Sequence, residues 1–395
     1  MRRERGMSFD VAFYLPSLGP LLSPAEELPC AGGAETQIWL LARGLAQRGA
    51  RVCVVVTNTP RGLPREVDGV TVVVRPPLRA GRGIRGKAAE VHALWRTLAP
   101  LDAQVVVQRT AGISTGLVAV ITRLKRRRFV YSSANVIDFD FDALASTAIE
   151  LRLFNLGVRL AETIVVQTDE QAHRCLERFR RHPTVIGSIA EPAATKTGIG
   201  DAFLWVGRLI GYKQPHAFLD LALAVPEARF RMVGLPAADD PGLAAEVEER
   251  ASGIDNVELL GPRSRPQLLA LYDAAVAVVN TADFEGMPNI FLEGWSRGVP
   301  ALALSHDPDK VIVTHGLGAF ARGSPAELAD LARLMWSSRH DQLALAVRCV
   351  EYVQRSHNLE TALTAWIDAL RVDGATPALP ALVRPLDHAS STQLR

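Results

Sequence analysis

Cysteine is scarce in this sequence: among 395 residues only Cys30, Cys53, Cys175 and Cys349 occur, with no C-x-x-C pair. That pattern argues against a disulfide framework or a zinc finger and suits reduced thiols in a cytosolic protein. Aromatic residues make up 6% of the chain, and none is interleaved with its basic clusters. A nucleic-acid partner that stacks bases on side chains is therefore not expected. No apolar run approaches the ~20 residues that a membrane helix requires. The dinucleotide fingerprint G-x-G-x-x-G is missing, which disfavours a dehydrogenase. The acidic doublet Asp239-Asp240 runs straight into Pro241-Gly242 and reads as a turn or helix cap, not as a D-x-D metal ligand set. No metal and no cofactor are expected. Histidine is absent between His92 and His173, an absence with a consequence for the site described below.

What is present is ample apolar material, 48% hydrophobic against 22% charged, enough for a packed interior. The length suits two domains of ordinary size. Net charge is only +2, yet it is unevenly spread: residues 1–190 carry +9 and the remainder −7. Such asymmetry gives the two halves different neighbours. The segment Arg123-Leu-Lys-Arg-Arg-Arg128 reads either as a solvated helix end or as a surface for anionic lipid headgroups. Peripheral contact with an anionic inner membrane face is thus an expectation for an otherwise cytoplasmic protein.

Short apolar runs alternate with helical periodicity along most of the chain. Strands are expected at Phe9–Leu15, Val52–Thr57, Val70–Arg75, Val105–Gln108, Phe129–Ser133 and Ile164–Gln167. A basic loop with Arg79, Arg82, Arg85 and Lys87 follows the third of these. A linker without periodicity spans 185–200. Alternation resumes with Phe203–Val206, a helix near Pro215–Ala224, Arg229–Val233, a helix near Ala244–Ala251, and Val257–Leu259. Three helical segments close the fold, the last ending at Leu370, and a disordered tail is expected over 373–395. This pattern predicts an α/β fold of two Rossmann-like domains, residues 1–190 and 191–372, facing across a cleft.

The most informative stretch runs from Val276 to Leu304 and reads strand, loop, helix, strand. Val276–Val279 suits a strand buried on both faces. Gly286 permits a tight loop, Pro288 suits a helix start, and Gly298 with Pro300 ends the helix. Glu285 then precedes the helix and Glu293 lies inside it, at the carboxyl end of a parallel strand where ligands bind. Two such carboxylates are either solvated helix charges or acceptors for the paired hydroxyls of a ribose or sugar. Near the N-terminus, Gly32-Gly33-Ala34-Glu35 opens a helix. Adjacent glycines there are either a plain turn or a close approach to phosphate. After Phe203–Val206 come Arg208 and Lys213, either a surface pair of cations or neutralisers of a diphosphate leaving group.

Together "FEGMPNIFLEGWSRGVP", "VGRLIGYK" and "GGAE" resemble the signatures of retaining glycosyltransferases of family 4, which have the GT-B fold. The resemblance implies transfer of a hexose-type sugar from a nucleotide diphosphate sugar to an unknown acceptor (glycan, lipid-linked or small molecule). It implies catalytic roles for Arg208, Lys213 and Glu285, and donor binding by Gly32, Gly33, Gly286, Met287, Pro288, Asn289 and Glu293. It also implies that the last helix crosses back onto the N-terminal domain. One departure stands out. Many family members carry a histidine just after the strand matching Phe129–Ser133, whereas this chain reads Tyr131-Ser132-Ser133-Ala134-Asn135. Ser133 or Asn135 is then expected to supply the sugar contact, or that part of the site has changed. The usual glycine in the segment Asp307–Gly318 is replaced by Lys310, and no chemistry is assigned there. A nucleotide-sugar epimerase or phosphorylase and a non-catalytic nucleotide-sugar-binding protein remain alternatives on the same fold.

Overall fold

The structure is a computed structural model describing residues 8–22, 32–57, 62–75, 84–143, 147–196, 198–237 and 240–371. Cys30, Arg79, Arg82, Asp239 and the tail over 373–395 lie outside those residues.

Two parallel sheets organise the chain. The first contains β1 (Ser8–Tyr14), β2 (Val52–Thr57), β3 (Glu66–Val67), β4 (Val70–Arg75), β5 (Asp102–Arg109), β6 (Arg128–Ser132), β7 (Thr163–Val166) and β8 (Thr184–Val185). Their order is β3-β4-β2-β1-β5-β6-β7-β8, parallel throughout except for β3 against β4. The helices between them are α1 (Gly33–Gln47), α2 (Ile84–Leu98), α3 (Ile113–Leu124), α4 (Ala148–Leu160) and α5 (Asp169–Phe179). The second sheet contains β9 (Ala202–Leu209), β10 (Phe230–Pro236), β11 (Val257–Leu259), β12 (Ala275–Asn280), β13 (Ala301–Ala303) and β14 (Gly318–Phe320). Its order is β11-β10-β9-β12-β13-β14, all parallel. Around it lie α6 (Pro215–Ala224), α7 (Pro241–Ser252), α8 (Arg265–Asp273), α9 (Asn289–Trp295), α10 (Val311–His315), α11 (Pro325–Ser337), α12 (Leu343–Ser356) and α13 (Leu359–Leu370).

The apolar runs explain the sheets. Strands covered by helices on both faces read as unbroken hydrophobic runs rather than alternating ones, and all six residues of β12 are buried. Each sheet has a core on either face, the first around Val54 and Val107 or Val55 and Val106, the second around Phe203 and Phe230 or Val278 and Trp295. Helix starts are fixed by side chains that take an otherwise open backbone donor. Thr168 accepts from Gln171 N at 3.2 Å, Ser324 from Glu327 N at 3.2 Å, and Asn358 from Thr361 N at 2.8 Å.

The last helix does cross back. Leu363, Trp366, Ile367 and Leu370 of α13 share one buried cluster with Ile38, Leu41 and Leu45 of α1. Gly44 makes room for this, since a Cβ there would stand 2.8 Å from Leu363 Cδ1. Arg48 pairs with Glu360, and Thr163 Oγ1 donates to Ala369 O at 3.3 Å. Each large apolar side chain so covered contributes about 1.5–3 kcal/mol, so α13 is a strap across both domains.

One expectation needs correcting. Residues 84–98 are helical, so Arg85 and Lys87 belong to the first turn of α2 and not to a loop; the helical pattern there was masked by the run of glycines and arginines before it. The cluster at 123–128 is largely engaged within the fold. Arg127 donates to Leu98 O at 2.7 Å and Ala99 O at 3.1 Å. Arg128 reaches Glu162 and Leu370 O, Arg123 pairs with Glu162, and Lys125 lies 5.1 Å from the Trp95 ring centre. Arg127 and Arg128 brace helix ends, whereas Arg123, Lys125 and Arg126 stay exposed.

Candidate active site

The carboxyl ends of both sheets meet across a cleft, and the loops that follow β9 and β12 form one wall. After β9 a single 3-10 turn, Gly211–Lys213, folds back on the β12 loop. Asp283 N donates to Tyr212 O at 2.9 Å, and Thr281 Oγ1 donates to Lys213 O at 2.7 Å. Trp205 Nε1 holds Thr281 in turn at 3.0 Å, and the rings of Tyr212 and Phe284 stack with centres 4.8 Å apart. This bracing sets Lys213 against Glu285, and the two form an ion pair. Arg208, next to last in β9, is exposed. Burial pushes the Tyr212 hydroxyl above its ordinary pKa. Its charged neighbours are Lys213, Glu285, Arg208 and, from the opposite domain, Asp138.

The segment Gly286–Asn289 lies against the N-terminal domain. A Cβ on Gly286 would stand 2.8 Å from Ala134 O and 2.8 Å from Gln167 Nε2, so only glycine permits this approach. Met287 and Pro288 are buried, and Pro288 caps α9 rather than opening it. Asn289 faces the start of α1. Its Oδ1 accepts from Gln37 Nε2 at 2.9 Å, and a Cβ on Gly33 would fall on its side-chain amide. Gln37 also bridges to Ile189, donating to its carbonyl at 2.7 Å and accepting from its amide at 2.6 Å. Gly32 is the N-cap of α1 and gives it no side-chain cap; the Glu35 carboxylate of the first turn lies over it, since a Cβ on Gly32 would stand 2.6 Å from Glu35 Oε2.

Glu293 sits apart from Glu285, inside α9 and half-buried. It pairs with Arg265, which also holds Glu191 at 2.8 Å, and Glu191 reaches Arg43 of α1 at 3.3 Å. Burial works against the Arg265 charge, but Glu293 and Glu191 outweigh it and raise its pKa. Arg43, Glu191, Arg265 and Glu293 line a cavity of about 440 Å³ between the domains. A larger cavity of about 900 Å³ opens between α5 and residues 307–310. Neither Glu285 nor Lys213 lines it, so size alone does not locate the chemistry.

Ser133 does not meet the expectation of a sugar contact. It is fully buried; its single O–H is shared between Asp138 Oδ2 at 3.1 Å and Asn135 O at 3.0 Å, and its oxygen accepts from Gln171 Nε2 at 3.2 Å. Asn135 Oδ1 accepts from Ile137 N at 3.2 Å, which makes it a turn former. The organising residue is Asp138, which the sequence reading missed. Its Oδ2 accepts from Ala134 N at 2.7 Å as well as from Ser133. Burial raises the Asp138 pKa despite hydrogen bonds that favour the ionised form. The signal was local: an Asn and an Asp three apart directly after a strand. His306 was also missed. It is buried, and its Nε2 lies 3.2 Å from Gly286 O, where the ring N–H donates to the carbonyl.

The segment after His306 holds the domains together. Asp309 carboxylate oxygens accept from Asp169 N at 2.9 Å and Glu170 N at 3.1 Å, capping α5 from the other domain. Asp309 and Lys310 have φ of 49° and 59°. Lys310 thus occupies a left-handed conformation that favours glycine.

Two family models together cover most of the chain. A Glycosyl transferase 4-like domain matches residues 32–187, and Glycosyl transferases group 1 matches residues 200–337. The chain is a GT-B glycosyltransferase. Its fold is that of Anabaena HepE, solved in complex with UDP and glucose. The TM-score is 0.70 at 19% identity, over 92% of this chain and 99% of that one. Among curated relatives, a glycosyltransferase 1 domain-containing protein 1 of Xenopus tropicalis is 26% identical over 31% of this chain and 35% of its own. A D-inositol 3-phosphate glycosyltransferase of Mycobacterium avium is 27% identical over 40% of this chain and 42% of its own. The matches to these two relatives therefore span well under half of their length. Among the described residues no helix of this glycosyltransferase is long and apolar enough to cross a membrane.

Proposed function

We propose that this glycosyltransferase moves a hexose-type sugar from a nucleoside diphosphate donor to an acceptor hydroxyl, with retention at the anomeric carbon. The observation that carries the reading is the braced Lys213–Glu285 pair, in which Lys213 lies on the loop just after Arg208. Cations held in place before the reaction stabilise charge building up on a leaving diphosphate without having to reorganise. Glu293, in its own cavity, suits the two ribose hydroxyls as a bidentate acceptor. The anomeric C–O bond to the diphosphate breaks, the acceptor oxygen bonds to the same carbon, and the acceptor proton passes to a phosphate oxygen. No protein base is needed for that proton. Arg208 and Lys213 supply the charge a metal would otherwise supply, so the reading includes metal independence. The neighbour solved with UDP and glucose and the relative named for inositol phosphate support a nucleotide donor and a polyhydroxylated acceptor.

A thermal-shift panel of nucleotides and nucleotide sugars tests the donor, since a ligand that binds only the folded state raises the melting temperature. Transfer of label from those donors into a cell extract tests the reaction. A donor that binds tightly while no label moves to any extract component would favour a binding protein instead.

A further inference from the structure

Glu293 is the last link in a chain of alternating charge that crosses from one domain to the other. Arg43 Nη2 lies 3.3 Å from Glu191 Oε1, Arg265 Nη2 lies 2.8 Å from Glu191 Oε2, and Arg265 Nη1 pairs with Glu293 Oε1. Each oxygen of Glu191 thus holds an arginine from a different domain, and each terminal nitrogen of Arg265 holds a different carboxylate. All four side chains are partly exposed, and ion pairs of that kind add little stability. What they fix is geometry, because a guanidinium is a planar fork whose nitrogens point in set directions.

The links before Glu293 have firm footings. Arg265 opens α8, where Pro266 follows it and Ser264 N donates to Gln267 Oε1 at 3.1 Å. Glu191 comes directly after Ala190, whose amide donates to His357 O at 2.9 Å, and after Ile189, whose amide donates to Gln37 Oε1 of α1 at 2.6 Å. Arg43 lies further along that same helix. A glutamate side chain turns about several bonds, so its carboxylate has to be aimed by something outside it. At Glu293 that is Arg265, which takes Oε1, while none of the described residues donates to Oε2. A carboxylate has about four lone-pair sites, and those left over are open to a ligand in the cavity of about 440 Å³ that all four residues line.

We propose that Arg265 is a positioning residue for Glu293, itself set by Glu191 and, through Glu191, by Arg43 of the opposite domain. Selection of ribose over deoxyribose then depends on the N-terminal domain, although Glu293 belongs to the C-terminal one. The inference rests on the reading of Glu293 as acceptor for the ribose hydroxyls, and adds to it the residues that aim the carboxylate. A carboxylate held in place beforehand loses little freedom when the hydroxyls arrive, so more of their hydrogen bonding appears as affinity.

The test measures, by calorimetry, how much more tightly a ribonucleoside diphosphate binds than its 2′-deoxy form. The probes are UDP, GDP and ADP with their 2′-deoxy counterparts, on wild type, Glu293→Ala, Arg265→Met, Arg265→Lys and Arg43→Met. Wild type should prefer the ribonucleotide about ten- to a hundredfold, as expected for a hydrogen bond to a charged acceptor. Arg265→Met should bring the ratio close to one by weakening the ribonucleotide alone, and Arg265→Lys should recover part of it. Arg43→Met, two links away from Glu293, should lower the ratio about three- to tenfold. Melting temperatures should stay at the wild-type value, since partly exposed ion pairs add little stability. A merely structural arginine would lower the melting temperature and weaken both nucleotides equally, which would overturn the proposal. A wild-type ratio in both Arg265→Met and Arg43→Met, with the preference lost in Glu293→Ala, would leave the ribose seat standing and overturn the proposal alone. If wild type shows no preference for ribose, binds no nucleotide, or keeps its preference in Glu293→Ala, the reading of Glu293 fails and the proposal falls with it.

Discussion

Lys213 and Glu285 neutralise one another in the wall of the cleft. A donor diphosphate must compete with Glu285 for the ammonium group, so the pair is a stand-in for the ligand. Lys213→Ala removes the cation and leaves Glu285, which is 9% exposed, without its partner. Turnover should fall by some tens- to a thousandfold, since a contact made to the leaving group contributes about 2–4 kcal/mol in the transition state. Glu285→Gln frees Lys213, so affinity for the bare nucleoside diphosphate should hold or rise while transfer falls. Steady-state kinetics beside calorimetry would separate these. Near-normal turnover in both Lys213→Ala and Arg208→Ala would remove the cation role.

Acid should loosen the strap. His357, between α12 and α13, is 5% exposed; its Nδ1 donates to Ser188 O at 2.7 Å, and its Nε2 accepts from Tyr352 at 3.3 Å. Burial lowers its pKa below the ordinary 6.5. The unfolded chain therefore binds a proton at a pH where the folded chain does not. Stability from this residue is complete above about pH 6.5 and falls as pH drops through the folded pKa. Melting curves from pH 7.5 to 5 should show this decline, and His357→Gln should flatten it. An identical acid limb in the variant would contradict the assignment.

Metal independence has a direct measurement. If Arg208 and Lys213 carry the charge of the leaving group, excess EDTA should leave transfer unchanged, whereas neutralising either cation should not be rescued by Mg²⁺ or Mn²⁺. Activity restored only by a divalent ion would show that the cations do not suffice.

Much of the fold was legible because parallel strands write themselves as unbroken apolar runs. Val52–Thr57, Val70–Arg75, Pro215–Ala224 and Val257–Leu259 fall where the sequence places them. The two-residue strands β3 and β8 were not legible, since Glu66–Val67 and Thr184–Val185 carry no periodicity. In the site, Lys213 and Glu285 could be read because motif spacing places them on adjacent loops. Residues defined by contact between domains could not. Asp309 caps a helix more than a hundred residues away in sequence, and nothing local marks it for that task. Ser133 misled for the converse reason, as a polar residue at the right position whose hydroxyl is consumed by Asp138 and Asn135.

Closure of the cleft rests on two glycines that differ in how much a side chain would cost. At Gly33 the obstacle is the Asn289 amide, the end of a side chain that can turn away. At Gly286 it is a main-chain oxygen, Ala134 O, which cannot yield without moving the loop held by Asp138. Gly33→Ala should therefore weaken donor binding modestly, and Asn289→Ala should relieve the clash, so the double variant should bind better than additivity predicts. Gly286→Ala should hold the domains apart, because neither Ala134 nor the buried Gln167 has room to retreat. Each domain keeps its own core, so secondary structure by circular dichroism should be unchanged. The radius of gyration from small-angle scattering should increase, and transfer should fall by more than donor binding to the C-terminal wall does. If Gly286→Ala leaves both the radius of gyration and turnover at wild-type values, the contact between Gly286 and Ala134 is not what closes the cleft.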